Sequence, residues 1–197
     1  MSLTHTRRTK VPTRVTLCVA LACILAGCSG VNSHRCDHDI LSVIVEPGKT
    51  DLDSLHRSLL RSGLRELNDS LEIWKYVGPG WARKFATPLP EDPGQRRYTY
   101  LAKDSLIHSD KFDLALIMIT DNLQRGPNAL LWIKSFNNEG NKVGHLDFAS
   151  YSADSGSFFS GRIGCDTILH MYPKPFQHRI FRLDSTGDIV FDKYELR

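Results

Sequence analysis

The sequence predicts an α+β fold, a curved antiparallel β-meander of about eight to ten strands with one N-terminal helix packed on it. Three observations point there. Downstream of Leu71, apolar, β-branched and aromatic residues recur in short period-two runs broken by Gly, Asn and Asp. Upstream, one Leu-rich segment carries the helical period. A hairpin turn also occurs twice, 47 residues apart, as Phe136-Asn137-Asn138-Glu139-Gly140-Asn141 and Leu183-Asp184-Ser185-Thr186-Gly187-Asp188. Each copy fits a type I turn closed by a left-handed Gly.

Taken in order, residues 40–45 are β-rich and end at the turn signal Glu46-Pro47-Gly48. Thr50 with Asp53 is a capping-box-like pair that opens the helix, and Leu52, Leu55, Leu59, Leu60, Leu64 and Leu67 fall within one half of its wheel. Gly63 weakens this helix by about 1 kcal/mol or ends it early. Arg57, Arg61 and Arg65 make a stripe opposite the leucines, a solvated face that would also suit anionic headgroups. Strands are expected over residues 71–77, 98–102, 112–120, 129–136, 142–151, 157–163, 167–172, 179–183 and 188–196. The run 112–120 is nearly all apolar after Asp113, as a central strand buried on both faces would be, and 188–196 is expected at an edge.

The first 28 residues read as an address. Arg7, Arg8, Lys10 and Arg14 precede an 11-residue apolar run from Val15 to Leu25, too short to span a bilayer as a helix and typical of a secretory signal. The Leu25-Ala26-Gly27-Cys28 that follows resembles the lipobox of bacterial lipoproteins. That resemblance implies cleavage before Cys28 and fatty acylation of Cys28. Several acyl chains, at about 0.8 kcal/mol per buried methylene, anchor a protein stably. In that family an Asp after the cysteine favours inner-membrane retention, and Ser29 here resembles the outer-membrane class. The chain thus divides into a signal peptide (1–27), a lipidated tether (28–39) and one α+β domain (40–197). The tether reaches at most roughly 40 Å, which keeps the domain near a membrane.

Charge and cysteine usage follow from that division. The formal net charge of +3 includes the four basic residues of the signal; without them 21 Lys and Arg face 22 Asp and Glu, a balance of −1. Nucleic-acid binding, which needs an excess or cluster of positive charge, is not expected. Cys18 and Cys23 leave with the signal, and Cys28 carries lipid. Cys36 and Cys165 remain and, in an oxidising compartment, most simply form a disulfide. His34, Cys36, His38 and Asp39 have metal-ligating chemistry, but a cystine sulfur is no thiolate ligand, and no metal or other cofactor is expected.

The segment 78–97 is the expected recognition element. It contains Pro79, Pro88, Pro90 and Pro93 without a period, and long aperiodic connections in compact domains are usually functional. Trp81, Arg83, Lys84, Phe85, Arg96 and Arg97 interleave rings and cations there, suited to a peptide or glycan of the envelope. The bland alternative is that Trp81 and Phe85 plug into the core. No nucleophile elbow, zinc-protease pair, Walker loop or dinucleotide fingerprint occurs. The expected function is therefore a lipid-anchored, non-enzymatic binding module on the periplasmic face of the outer membrane. The runners-up are an envelope hydrolase with His145 and His170 converging in a sheet cavity, and a half-barrel carrier of an apolar ligand.

Overall fold

The computed structural model describes residues 39–46, 50–123, 128–152, 158–164, 167–172 and 177–196. The lipidation at Cys28, the disulfide between Cys36 and Cys165, and the ligand types at His34 and His38 lie outside the described residues.

Antiparallel sheet dominates the structure. The strands are β1 (Leu41–Val43), β2 (Arg65–Glu66), β3 (Tyr98–His108), β4 (Phe112–Asp121), β5 (Asn128–Asn137), β6 (Lys142–Ser152), β7 (Phe158–Ile163), β8 (Thr167–Met171), β9 (Gln177–Leu183) and β10 (Ile189–Leu196). From β2 to β10 each pairs with the next, and β1 joins β7. β10 lies at the edge, where its sequence predicts. Both copies of the repeated turn have one geometry. Asn137 Oδ1 accepts from the Glu139 and Asn141 amides at 3.1 and 2.9 Å, and Asp184 Oδ1 accepts from those of Thr186 and Asp188 at 2.8 and 2.9 Å.

Among the described residues three helices, not one, accompany the sheet: α1 (Leu52–Arg61), α2 (Ser70–Tyr76) and α3 (Pro79–Lys84). α1 starts one residue later than expected, capped by Asp51, while Thr50 Oγ1 instead accepts from the Glu46 amide at 2.7 Å. Its end is set by Gly63, whose positive φ of 94° lets its own amide and that of Leu64 return to the carbonyls of Leu60 and Leu59. Leu64, Arg65 and Leu67 thus fall beyond the helix, so the arginine stripe stops at Arg61, and Arg65 in β2 pairs with Glu72 at 2.8 Å. α2 corrects the strand expected over 71–77. Asp69 accepts from the amides of Leu71 and Glu72 at 2.8 and 2.9 Å, an N-cap that starts a helix whose Ile73 and Tyr76 are buried. α3 lies inside the segment expected to lack structure, with Pro79 in its first turn.

β4 explains where the core sits. Leu114, Leu116 and Met118 enter one cluster, with Leu59, Leu64, Leu101, Leu131, Ile133, Phe148, Ile163 and Ile168. Ala115, Ile117 and Ile119 enter a second, with Ile73, Tyr76, Tyr98 and Tyr100. A strand with a core on each face must be apolar at every position where both cores meet it, as 114–119 is.

Close approaches depend on glycine at two places. A Cβ on Gly161 of β7 would collide with the carbonyl and ring of Phe148 in β6. One on Gly187, at φ 89°, would stand 2.6 Å from the Phe112 ring, whereas Gly140 in the twin turn, at φ 79°, has open space. Gly140→Ala is therefore expected to cost about 1–2 kcal/mol for the backbone alone, and Gly187→Ala roughly 1–3 kcal/mol more from overpacking. Urea unfolding of the two variants checks the difference.

Candidate functional site

Two places gather polar and aromatic side chains. The first is the face carrying α2, α3 and segment 85–97. Trp81 stands edge-on to Tyr98, Tyr100 and Trp132, with centroids 5.4–6.4 Å apart, and its carbonyl accepts from Tyr100 Oη at 3.2 Å. Burial pushes the Tyr100 hydroxyl up to about 12. Trp81 and Phe85 both pack against the second cluster. Lys84 Nζ lies 4.4 Å from the Trp81 ring centre, and the Arg96 guanidinium 4.0 Å from that of Phe85. Arg97 is tied down instead, donating from Nε and Nη2 to Asp121 at 3.2 and 2.9 Å. Arg83 is exposed.

Around these residues the chain is ordered by its own backbone. The amides of Leu89 and Arg97 donate to the carbonyls of Gln95 and Thr87 at 2.8 and 2.9 Å, closing the proline-rich stretch into a compact loop. A hollow of about 260 Å³ opens beside it, lined in part by Phe85, Arg96, Tyr98 and Asn122. Leu71 and Trp74 of α2 are 79 % and 60 % exposed and stand three residues apart, on one side of that helix.

The second place is a cleft of about 320 Å³ where β6 and β7 part. β7 splits one edge between two partners: Phe158 and Phe159 pair with β6, and residues 161–163 pair with β1. Beyond Ser150 the register between β6 and β7 ends, so the stretch of β6 at His145, Leu146 and Asp147, paired with β5 on one edge, borders the cleft on the other. Opposite stand side chains from one face of β7, β8 and β9. His170 pairs directly with Arg179, and Ile168 with Phe181. The His170 ring sits 5.2 Å from Phe159 and 5.0 Å from Phe181, and the Arg179 guanidinium covers Tyr172 at 5.0 Å.

His170 is 3 % exposed, and neither ring nitrogen has a hydrogen-bond partner among the described residues. Burial first, then the neighbouring Arg179, pulls its pKa down to about 4; the Asp147 backbone pulls the other way but lies outside hydrogen-bonding geometry. His145 is lowered as well, by burial and then by Lys134, and its Nε2 stands 3.8 Å from Asp147 Oδ1.

Sequence reasoning named His145 and His170 but not Asp147, Phe159, Tyr172, Arg179 or Phe181, which come from four separate stretches. One signal was present: His170 shares strand parity with the buried Ile168, a polar residue in an apolar position. The chain matches no family model, and no curated protein or solved structure is detectably similar to it.

Two outcomes are expected. Trp81→Ala should lower stability by about 2–3 kcal/mol, since a partly buried ring leaves a gap, whereas Arg83→Ala should stay within about 0.5 kcal/mol by thermal unfolding. A His held near 4 in the fold and released to 6.5 on unfolding binds its proton first in the unfolded chain. Stability is therefore undiminished above pH 6.5 and falls as the pH drops to 4, by on the order of 3 kcal/mol in all. Urea midpoints across that range should slope less for His170→Phe than for the wild type.

Proposed function

We propose that this protein is a lipid-anchored envelope lipoprotein, cleaved before Cys28 and held on the periplasmic face of the outer membrane, whose folded unit is a non-enzymatic binding module. The scaffold in this reading is a curved meander with α1 packed on it, and the partner is a protein or glycan of the envelope. Anchoring confines the module to a thin layer, which raises its effective concentration for such a partner.

The observation that carries the reading is the composition of the α2–α3 face. Leu71 and Trp74 leave large apolar surface in water, and the same side of the sheet carries cations stacked on rings, Lys84 on Trp81 and Arg96 on Phe85. Aromatic residues and Arg are enriched where proteins meet partners. The bound cations keep the rings partly covered until a ligand competes for them.

Hydrolysis is the second reading, because His145, Asp147 and His170 do converge on one cleft. Binding is favoured over it on chemical grounds. Among the described residues no Ser, Thr or Cys lines the cleft to act as nucleophile, and a histidine with a pKa near 4 is a weak general base at neutral pH. A carrier of an apolar ligand would have to displace side chains, since Leu114, Leu116, Met118 and Phe148 already fill the inner cluster.

Capture from native envelopes tests the reading. The acylated protein is expected to retain a specific partner, and Trp74→Ser combined with Arg96→Glu to lose it with an unchanged thermal midpoint. Undiminished capture by that variant would move recognition off this face. A Cys28→Ser form without acyl mass tests the anchor separately.

A further inference from the structure

The cleft between β6 and the β7–β9 face has a composition that the binding reading of the α2–α3 face does not use. Its buried end presents His170, a polar side chain nine-tenths and more enclosed, with both ring nitrogens unsatisfied among the described residues. Leaving such a group without a partner costs about 1–3 kcal/mol, so it is rare unless something else supplies the hydrogen bond. Arg179 lies across the register from it and is close enough to depress its proton affinity. Among the described residues no carboxylate lies within ion-pair distance of Arg179, whose guanidinium rests on the rings of Tyr172 and Tyr194. Two donors thus converge with no carboxylate between them, and the Asp147 backbone beside His170 falls outside hydrogen-bonding geometry.

The walls give the rest of the ligand. Phe159 and Phe181 stand on either side of His170, and Tyr172 lies 5.4 Å from Phe159. Flat apolar faces of this kind accept a ring, and a volume of about 320 Å³ is near the lower end of ligand pockets, room for a single small molecule. Asp147 and His145 lie on the opposite rim, on β6, where Asp147 would repel an anion placed at that side. The charge of the ligand therefore belongs at the Arg179 end.

We propose that this cleft binds a small ring-bearing carboxylate, its carboxylate received by Arg179 and the neutral imidazole of His170 and its ring laid against Phe159, Phe181 and Tyr172. The planar guanidinium matches a carboxylate in a way a point charge does not. His170 serves as donor through whichever nitrogen carries its single proton, so no charge needs to be buried beyond that of the ligand and Arg179. The bound anion also stabilises the imidazolium, so binding raises the proton affinity of His170.

The test uses the protein as its host produces it, with benzoate, benzamide and acetate as probes in calorimetry and in NMR of the His170 ring. Benzoate is expected to bind at least about tenfold more tightly than either benzamide, which lacks the charge, or acetate, which lacks the ring. It should also move the titration of the His170 ring to higher pH. Arg179→Gln, a change at an exposed position, should weaken benzoate by about tenfold while leaving benzamide unaffected. The proposal fails if benzoate does not bind, if benzamide matches it, or if Arg179→Gln leaves its affinity intact. None of these results bears on partner capture by the α2–α3 face.

Discussion

Everything in this molecule is arranged around β4, which has no face to give to water. Its even-numbered residues from Leu114 to Met118 build one cluster and its odd-numbered residues from Ala115 to Ile119 the other. A slip of one residue would exchange the two sets, and the two sets differ in size and shape, so both cores hold the register in place. The neighbours obey the same parity: Leu101 of β3 faces one cluster while Tyr100 and Ala102 face the other.

Two lysines of the sheet finish helices that the chain leaves incomplete. Lys103 Nζ donates to the Ser62 carbonyl at the end of α1 at 3.1 Å. Lys134, buried on β5, donates to the carbonyls of Tyr76 and Val77 at the end of α2 at 2.7 and 3.2 Å. A cation at a helix C-terminus meets both the orphan carbonyls and the negative end of the dipole. The cost is visible at Lys134, whose pKa is brought down to about 8 chiefly by burial and secondarily by Lys142. Sequence alone reads such a lysine as a surface residue on a strand.

The strands after residue 97 were legible because their chemistry repeats with period two and their turns are marked by Asn, Asp and Gly. α2 was not, for a physical reason. In Leu71-Glu72-Ile73-Trp74-Lys75-Tyr76-Val77 the alternation of Leu71, Ile73 and Val77 suits a strand, and the spacing of Ile73, Tyr76 and Val77 suits a helix. Seven residues satisfy both periods, and the Asp69 cap decides between them. Of the recognition segment, composition was readable but not the division of labour: Trp81 and Phe85 pack inward, Arg97 is bound to Asp121, and Arg83, Lys84 and Arg96 remain at the surface. The cleft was the least legible part, since it exists only where β7 exchanges β6 for β1.

That exchange has a mechanical side. The described chain begins at Asp39, which pairs with Arg162 at 3.2 Å, and the Ile40 amide holds the Ile163 carbonyl at 2.8 Å before the three-residue ladder of β1 on β7. Tension on the residues that precede Asp39 is delivered first to this short ladder, and through it to the strand whose other end carries Phe159. A load arriving from the N-terminal side is thus passed directly to one wall of the cleft and, through Val43 and Ile163, to the first cluster, while the second cluster stands outside the line of force.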